Sequence, residues 1–96
     1  DRLVEQVVSR LGSVELAFVT GDYARGVDSG LIDLVLVGEV DEIYLAELAK
    51  KAEKLIDRKI RTLVLARDEY QKLEEKFEKE KAILVWDNPK GYGLSM

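Results

Sequence analysis

The chain has 96 residues, 47% hydrophobic and 35% charged, with a formal net charge of −4, which fits one small globular domain. It contains no cysteine and no histidine, which excludes disulfides, thiolate metal sites, a thiol nucleophile and an imidazole base. The acidic balance, with both signs interleaved, argues against direct nucleic-acid binding, and any metal would be a hard, oxygen-liganded cation such as Mg²⁺.

Arg2 to Leu11 places Leu3, Val4, Val7, Val8 and Leu11 on one helical face, and Gly12 stops the helix. Val14 to Thr20 is a nearly continuous apolar run with β-branched and aromatic residues, which predicts a buried strand. Gly21 to Gly26 is a glycine-bounded turn with room for a short helical piece, and Asp22 is placed to cap a helix there. Leu31 to Val37 reads as a second buried strand, closed by Gly38.

Asp41 is a cap for a helix over Glu42 to Arg58. Leu45, Leu48, Ala49, Ala52, Leu55 and Ile56 form its apolar stripe, and Lys50, Lys51, Glu53 and Lys54 face water. Ile60 to Ala66 is a third strand. Asp68 then caps a charged helix that turns Tyr70, Leu73 and Phe77 inward and leaves Glu69, Glu74 and Glu75 solvated. Ala82 to Trp86 is a short fourth strand, and Asp87 to Gly93 has turn chemistry. Trp86 and Tyr92 suit packing better than base stacking, since no basic groove accompanies them.

The order is α-β-β-α-β-α-β. About ten residues join the first two strands, too few for a βαβ crossover, so they pair antiparallel. The expected fold is α/β of the α+β type, a small mixed sheet with helices mainly on one face. No apolar run is long enough to span a bilayer and no signal-peptide pattern is visible, so no membrane partner and a cytoplasmic location are expected. Because the chain opens at Asp1, residues 1–96 are expected to be one domain of a longer protein.

Asp33 is the single charge inside the second strand, and a carboxylate among apolar neighbours needs a partner or a task. Arg61, on the third strand, can satisfy it by cross-strand hydrogen bonds, and Arg25 in the glycine turn is the alternative. Gly21 and Gly26 have the spacing of a phosphate loop, but no Lys-Ser or Lys-Thr follows, so the P-loop reading fails.

The stretch from Val14 to Val37 resembles the minimal nucleotidyltransferase domain of the DNA polymerase β-like superfamily. Gly21, Ala24 and Gly26 match its Gly-Ser-x-Ala-x-Gly turn, and Asp33 with Leu34 matches the end of its Asp-x-Asp pair. The resemblance implies a turn that receives a nucleotide triphosphate, paired aspartates that hold Mg²⁺, and a third carboxylate on the next strand. It makes Gly21, Asp22, Arg25 and Gly26 the nucleotide-binding candidates and Asp33 the catalytic and metal candidate, with Asp28 as a further metal candidate. Three positions depart from the family's pattern: Asp22 replaces the serine, Leu31 the first aspartate and Arg61 the third carboxylate.

These departures imply an impaired enzyme with no cofactor, in which Asp33 and Arg61 form a structural ion pair where the family binds metal. The resemblance extends to domains attached to winged-helix transcriptional regulators. The implied role is a ligand-sensing or dimerisation module, with a nucleotide or small molecule as ligand, a homodimer, or a separate DNA-binding domain as partner. Two alternatives remain open. One is an active Mg²⁺-dependent transferase of nucleotide monophosphate to a hydroxyl, with Asp33 and either Asp28 or Asp22 as ligands. The other is an antitoxin of a helical ribonuclease toxin.

Overall fold

The computed structural model describes residues 2–88. The turn expected at Pro89 to Gly93, with Tyr92, lies outside the described residues, as do the side chains of Leu3 and Val4. The elements run α1 (Arg2–Leu11), β1 (Gly12–Thr20), α2 (Gly21–Ala24), β2 (Leu31–Val40), α3 (Glu42–Ile56), β3 (Lys59–Leu65), α4 (Arg67–Lys79) and β4 (Ile83–Asp87). The short helical piece in the glycine turn is the one-turn α2.

The four strands form one mixed sheet in the order β3-β2-β1-β4. β1 pairs antiparallel with both β2 and β4, and β2 pairs parallel with β3 through the α3 crossover. Strand alternation divides the core in two. Leu34 and Leu36 of β2 face one side, where Leu11 of α1 and Leu45 of α3 pack with Val14 and Ala17. Val35 and Val37 face the other, with Phe18, Leu65 and Phe77 of α4. Thus α1 and α3 share one face, and α4 covers part of the opposite one. On that second face Phe18 and Phe77 meet edge to face, with ring centroids 4.9 Å apart.

Several local expectations are corrected. β2 does not stop at Gly38 but continues to Val40. β1 bulges between Val14 and Leu16, and a Cβ on Gly38, at φ +128°, would lie 2.2 Å from the Ser13 carbonyl oxygen. That glycine therefore admits the bulge and does not end the strand. α3 is capped as expected, with Asp41 Oδ1 accepting from Tyr44 N at 3.1 Å. It ends at Ile56, followed by Asp57 in left-handed conformation, two residues before the expected boundary.

Leu55, placed on the apolar stripe by periodicity, is 86% exposed, and Ile56 is also exposed. The last turn of α3 projects past the sheet, where periodicity has nothing to bury against. Glu53, expected in water, is half-buried and accepts from Ile60 N at 2.7 Å through Oε2, tying α3 to the start of β3. α4 starts one residue before Asp68, with Ala66 at the cap position. Glu69 Oε1 accepts from Ala66 N at 2.8 Å, which does the work assigned to Asp68. Trp86 packs against the α1–α3 core and donates from Nε1 to the Val14 carbonyl at 3.4 Å.

Candidate functional site

The end of β1, the α2 turn and the starts of β2 and β3 meet at one end of the sheet. Asp33 is opposite Thr20 in the antiparallel β1–β2 register and opposite Arg61 in the parallel β2–β3 register. All three side chains therefore share the α4 face of the sheet. α4 packs on Phe18, Val37 and Leu65 farther along, leaving Arg61 and Leu63 exposed on this face.

Arg61 Nε donates to Asp33 Oδ1 at 2.6 Å. The carboxylate side chain is 20% exposed and the guanidinium side chain 69%, so a sheltered acid holds an open base. The Asp33 hydrogen bond, and then its charge, push the Arg61 guanidinium above its ordinary value. The other carboxylate oxygen faces the turn: a Cβ on Gly21, at φ +77°, would come within 2.6 Å of Asp33 Oδ2. Only a glycine allows this approach. Thr20 is buried and donates from Oγ1 to Glu80 Oε1 at 2.8 Å, fastening the end of β1 to the residue after α4.

Within the turn, Arg25 Nη2 pairs with Asp22 Oδ1. Arg25 is thus engaged inside its own turn. Asp22 makes no capping bond, because α2 starts from Thr20 without a side-chain cap. Gly26, at φ +84°, completes the turn, and Val27 N donates to the Asp22 carbonyl at 2.9 Å.

Asp28 is held more elaborately. Its Oδ1 accepts from Gly30 N at 3.1 Å and from Arg58 Nε at 3.1 Å, and its Oδ2 accepts from Arg58 Nη2 at 2.5 Å. Arg58 also donates from Nη1 to the Ile56 carbonyl at 2.9 Å, and its guanidinium lies 5.9 Å from the Tyr23 ring centroid. The Arg58 hydrogen bonds, then the Gly30 amide, hold the Asp28 carboxyl below its ordinary value. Arg58 is the residue that sequence reasoning missed. Helical periodicity ends on it, and its partner is thirty positions away. The only local signal is its place just past a helix C-terminus, where a cation is favoured.

Each aspartate of this region therefore has its own arginine: Asp22 with Arg25, Asp28 with Arg58 and Asp33 with Arg61. Mg²⁺ needs near-octahedral oxygen coordination and is held by one or two carboxylates with substrate phosphates. Here no group of three acidic side chains converges among the described residues. Leu31, two positions before Asp33, offers no oxygen, and Arg61 puts a positive charge beside Asp33. The donor set does not fit a divalent ion.

No protein-family profile matches the chain, and no curated protein matches it. Solved structures do. A mutant MntA–HpeT toxin–antitoxin complex matches with a TM-score of 0.62 at 14% identity, covering 97% of this chain and 77% of the other. A tri-AMPylated Shewanella oneidensis HEPN toxin in complex with MNT antitoxin matches with a TM-score of 0.55 at 14% identity, covering 97% and 73%. A candidate nucleotidyltransferase from Sulfolobus solfataricus matches with a TM-score of 0.51 at 23% identity, covering 94% and 78%. The chain has the nucleotidyltransferase fold. At these identities the likeness extends to the fold alone.

Proposed function

We propose that this domain is a non-catalytic nucleotidyltransferase-fold protein that acts by binding another protein, in the manner of an antitoxin. The observation that carries the reading is the pairing of Asp22, Asp28 and Asp33 with Arg25, Arg58 and Arg61. Transfer by the enzyme route, with Asp33 and either Asp28 or Asp22 holding Mg²⁺, first requires two of these ion pairs to break. The carboxylate cluster would then have to form beside the Arg61 guanidinium. Support for a protein partner comes from the matched MntA and MNT structures, which are complexes with toxins.

A ligand-sensing or dimerisation role within a transcriptional regulator is a narrower form of the same reading. Among the described residues no helix is long and apolar enough to cross a membrane.

The test is thermal unfolding with Mg²⁺ and each of the nucleoside triphosphates. A binding enzyme gains about 2.7 kcal/mol at a ligand concentration a hundred times its Kd. The expected result here is an unchanged melting temperature. Mg²⁺-dependent stabilisation that disappears in Asp33→Asn would overturn the proposal and restore the enzyme reading.

A further inference from the structure

Charge is divided unevenly along this chain. From Lys50 to Arg61 it carries six cations and two acids, a net charge of +4, so the rest of the chain carries −8. The span covers the second half of α3, the turn after it and the start of β3. Folding gathers it into one corner. Lys50 and Lys54 lie one helical turn apart, Lys59 N donates to the Gly30 carbonyl at 2.9 Å, and a cavity of about 510 Å³ opens among these residues.

Two of the charges that line the cavity are already engaged, Glu53 with Ile60 N and Arg58 with Asp28. Lys50, Lys54 and Lys59 are exposed, and none has an ion-pair partner among the described residues. Asp57 is the remaining acid of the lining, so the lysines prevail. The α3 macrodipole accounts for Lys54 in its last turn, but not for Lys50 a turn earlier or for Lys59 beyond the helix.

We infer that this corner of α3 and β3 is the docking surface for an acidic segment of a partner protein. The inference rests on the protein-binding reading above and supplies its surface. Charge complementarity requires an anion, and the neighbouring side chains select a protein. Leu55, 86% exposed, and Ile56 stand beside the lysines at the end of α3. Aliphatic anchors inside a polar rim are the make-up of a protein interface, whereas contacts to a phosphate backbone make no use of them. The −8 of the remaining chain also repels a long polyphosphate, while an acidic segment needs only this corner.

Fluorescence anisotropy tests it, with a labelled peptide of alternating glutamate and leucine as the probe. Wild-type protein is expected to bind with an affinity that falls as salt is added. The triple change Lys50→Glu, Lys54→Glu and Lys59→Glu is expected to raise the dissociation constant roughly tenfold or more, with the fold intact by circular dichroism. Lys72→Glu, Lys76→Glu and Lys79→Glu on α4 make the same change in net charge and are expected to leave binding nearly unchanged. Leu55→Ser is expected to weaken the peptide but not polyglutamate. No binding by the wild type, equal losses in the two triple variants, or a single-stranded oligonucleotide bound as tightly as the peptide overturns the inference. So does a wild-type oligomer that the first triple change dissolves, since the surface would then hold a second copy. Melting with Mg²⁺ and nucleoside triphosphates reports on the protein-binding reading separately. Stabilisation there overturns both, whereas no stabilisation and no peptide binding overturns the surface alone.

Discussion

Asp33 lies directly against Gly21: a Cβ on that glycine would sit 2.6 Å from the carboxylate Oδ2, while Oδ1 accepts from Arg61. The turn and the ion pair are therefore one unit. Gly21 also has a φ of +77°, which side chains rarely adopt. Gly21→Ala is expected to destabilise the fold by about 1–3 kcal/mol in urea unfolding, from backbone strain together with displacement of Asp33. Unchanged stability would mean that the turn relaxes freely and that the contact constrains nothing.

Restoring acids at the departed positions should restore ion binding. Leu31→Asp with Arg61→Asp sets two new carboxylates beside Asp33, in adjacent and parallel strands. Without a cation their mutual repulsion lowers stability. Mg²⁺ is expected to raise the melting temperature of this variant and leave the wild type unchanged. Equal responses from the two proteins would refute the assignment of these positions.

The Asp28–Arg58 clasp gives the loop before β2 an acid dependence. Its carboxyl is held below the ordinary 3.8, chiefly by Arg58. A depressed carboxyl contributes stability above that value and loses it as pH falls through the lower, folded value. Gly30 N donates to this carboxylate, so its amide resonance reports the titration. The expected midpoint lies below 3.8, and Arg58→Gln moves it upward. A wild-type midpoint at or above the ordinary value would show that Arg58 does not hold the loop.

Phe77 joins α4 to the sheet through Phe18 and is buried. Phe77→Ala is expected to cost about 3–5 kcal/mol, from lost burial and the cavity left behind. Equilibrium denaturation measures it, and a loss under about 1 kcal/mol would show that α4 repacks without its anchor.

Tyr70 titrates late. Burial, and then the charges of Glu74, Glu78 and Asp87, push its phenol above the ordinary 10.0. The folded state keeps this proton longer than the unfolded chain, so the stabilisation is complete below 10.0 and falls as pH rises toward the folded value. In an absorbance titration of phenolate, Tyr70→Phe should remove an ionisation whose midpoint lies above 10.0. Loss of an early-ionising tyrosine instead would contradict this placement.

The sheet was legible in the sequence because its signal is local. Val14 to Thr20 and Leu31 to Val37 are apolar on both faces, and the short connection between them leaves only antiparallel pairing. The α3 cap at Asp41 was legible for the same reason. What the sequence hid depends on where other elements end. Leu55 continues a helical stripe that has run past the sheet. Glu53 sits on the outward side by periodicity, yet bends to the Ile60 amide. Asp68 has the right chemistry for a cap one residue inside the helix, and Glu69 takes that work. In the candidate site, the lone charge of Asp33 marks the place, but the approach of Gly21 and the reach of Arg58 to Asp28 exist only after the chain has closed on itself.

β1 is flanked by β2, which follows it closely, and by β4, which comes some sixty residues later, with Leu16 opposite Asp87. During synthesis, then, an interior strand waits with one side bare until some sixty further residues have been made. Its stretch from Leu16 to Val19 is an apolar segment of a nascent chain in search of a neighbour. A chaperone, or the wrong strand from another ribosome, has that interval in which to take the place of β4.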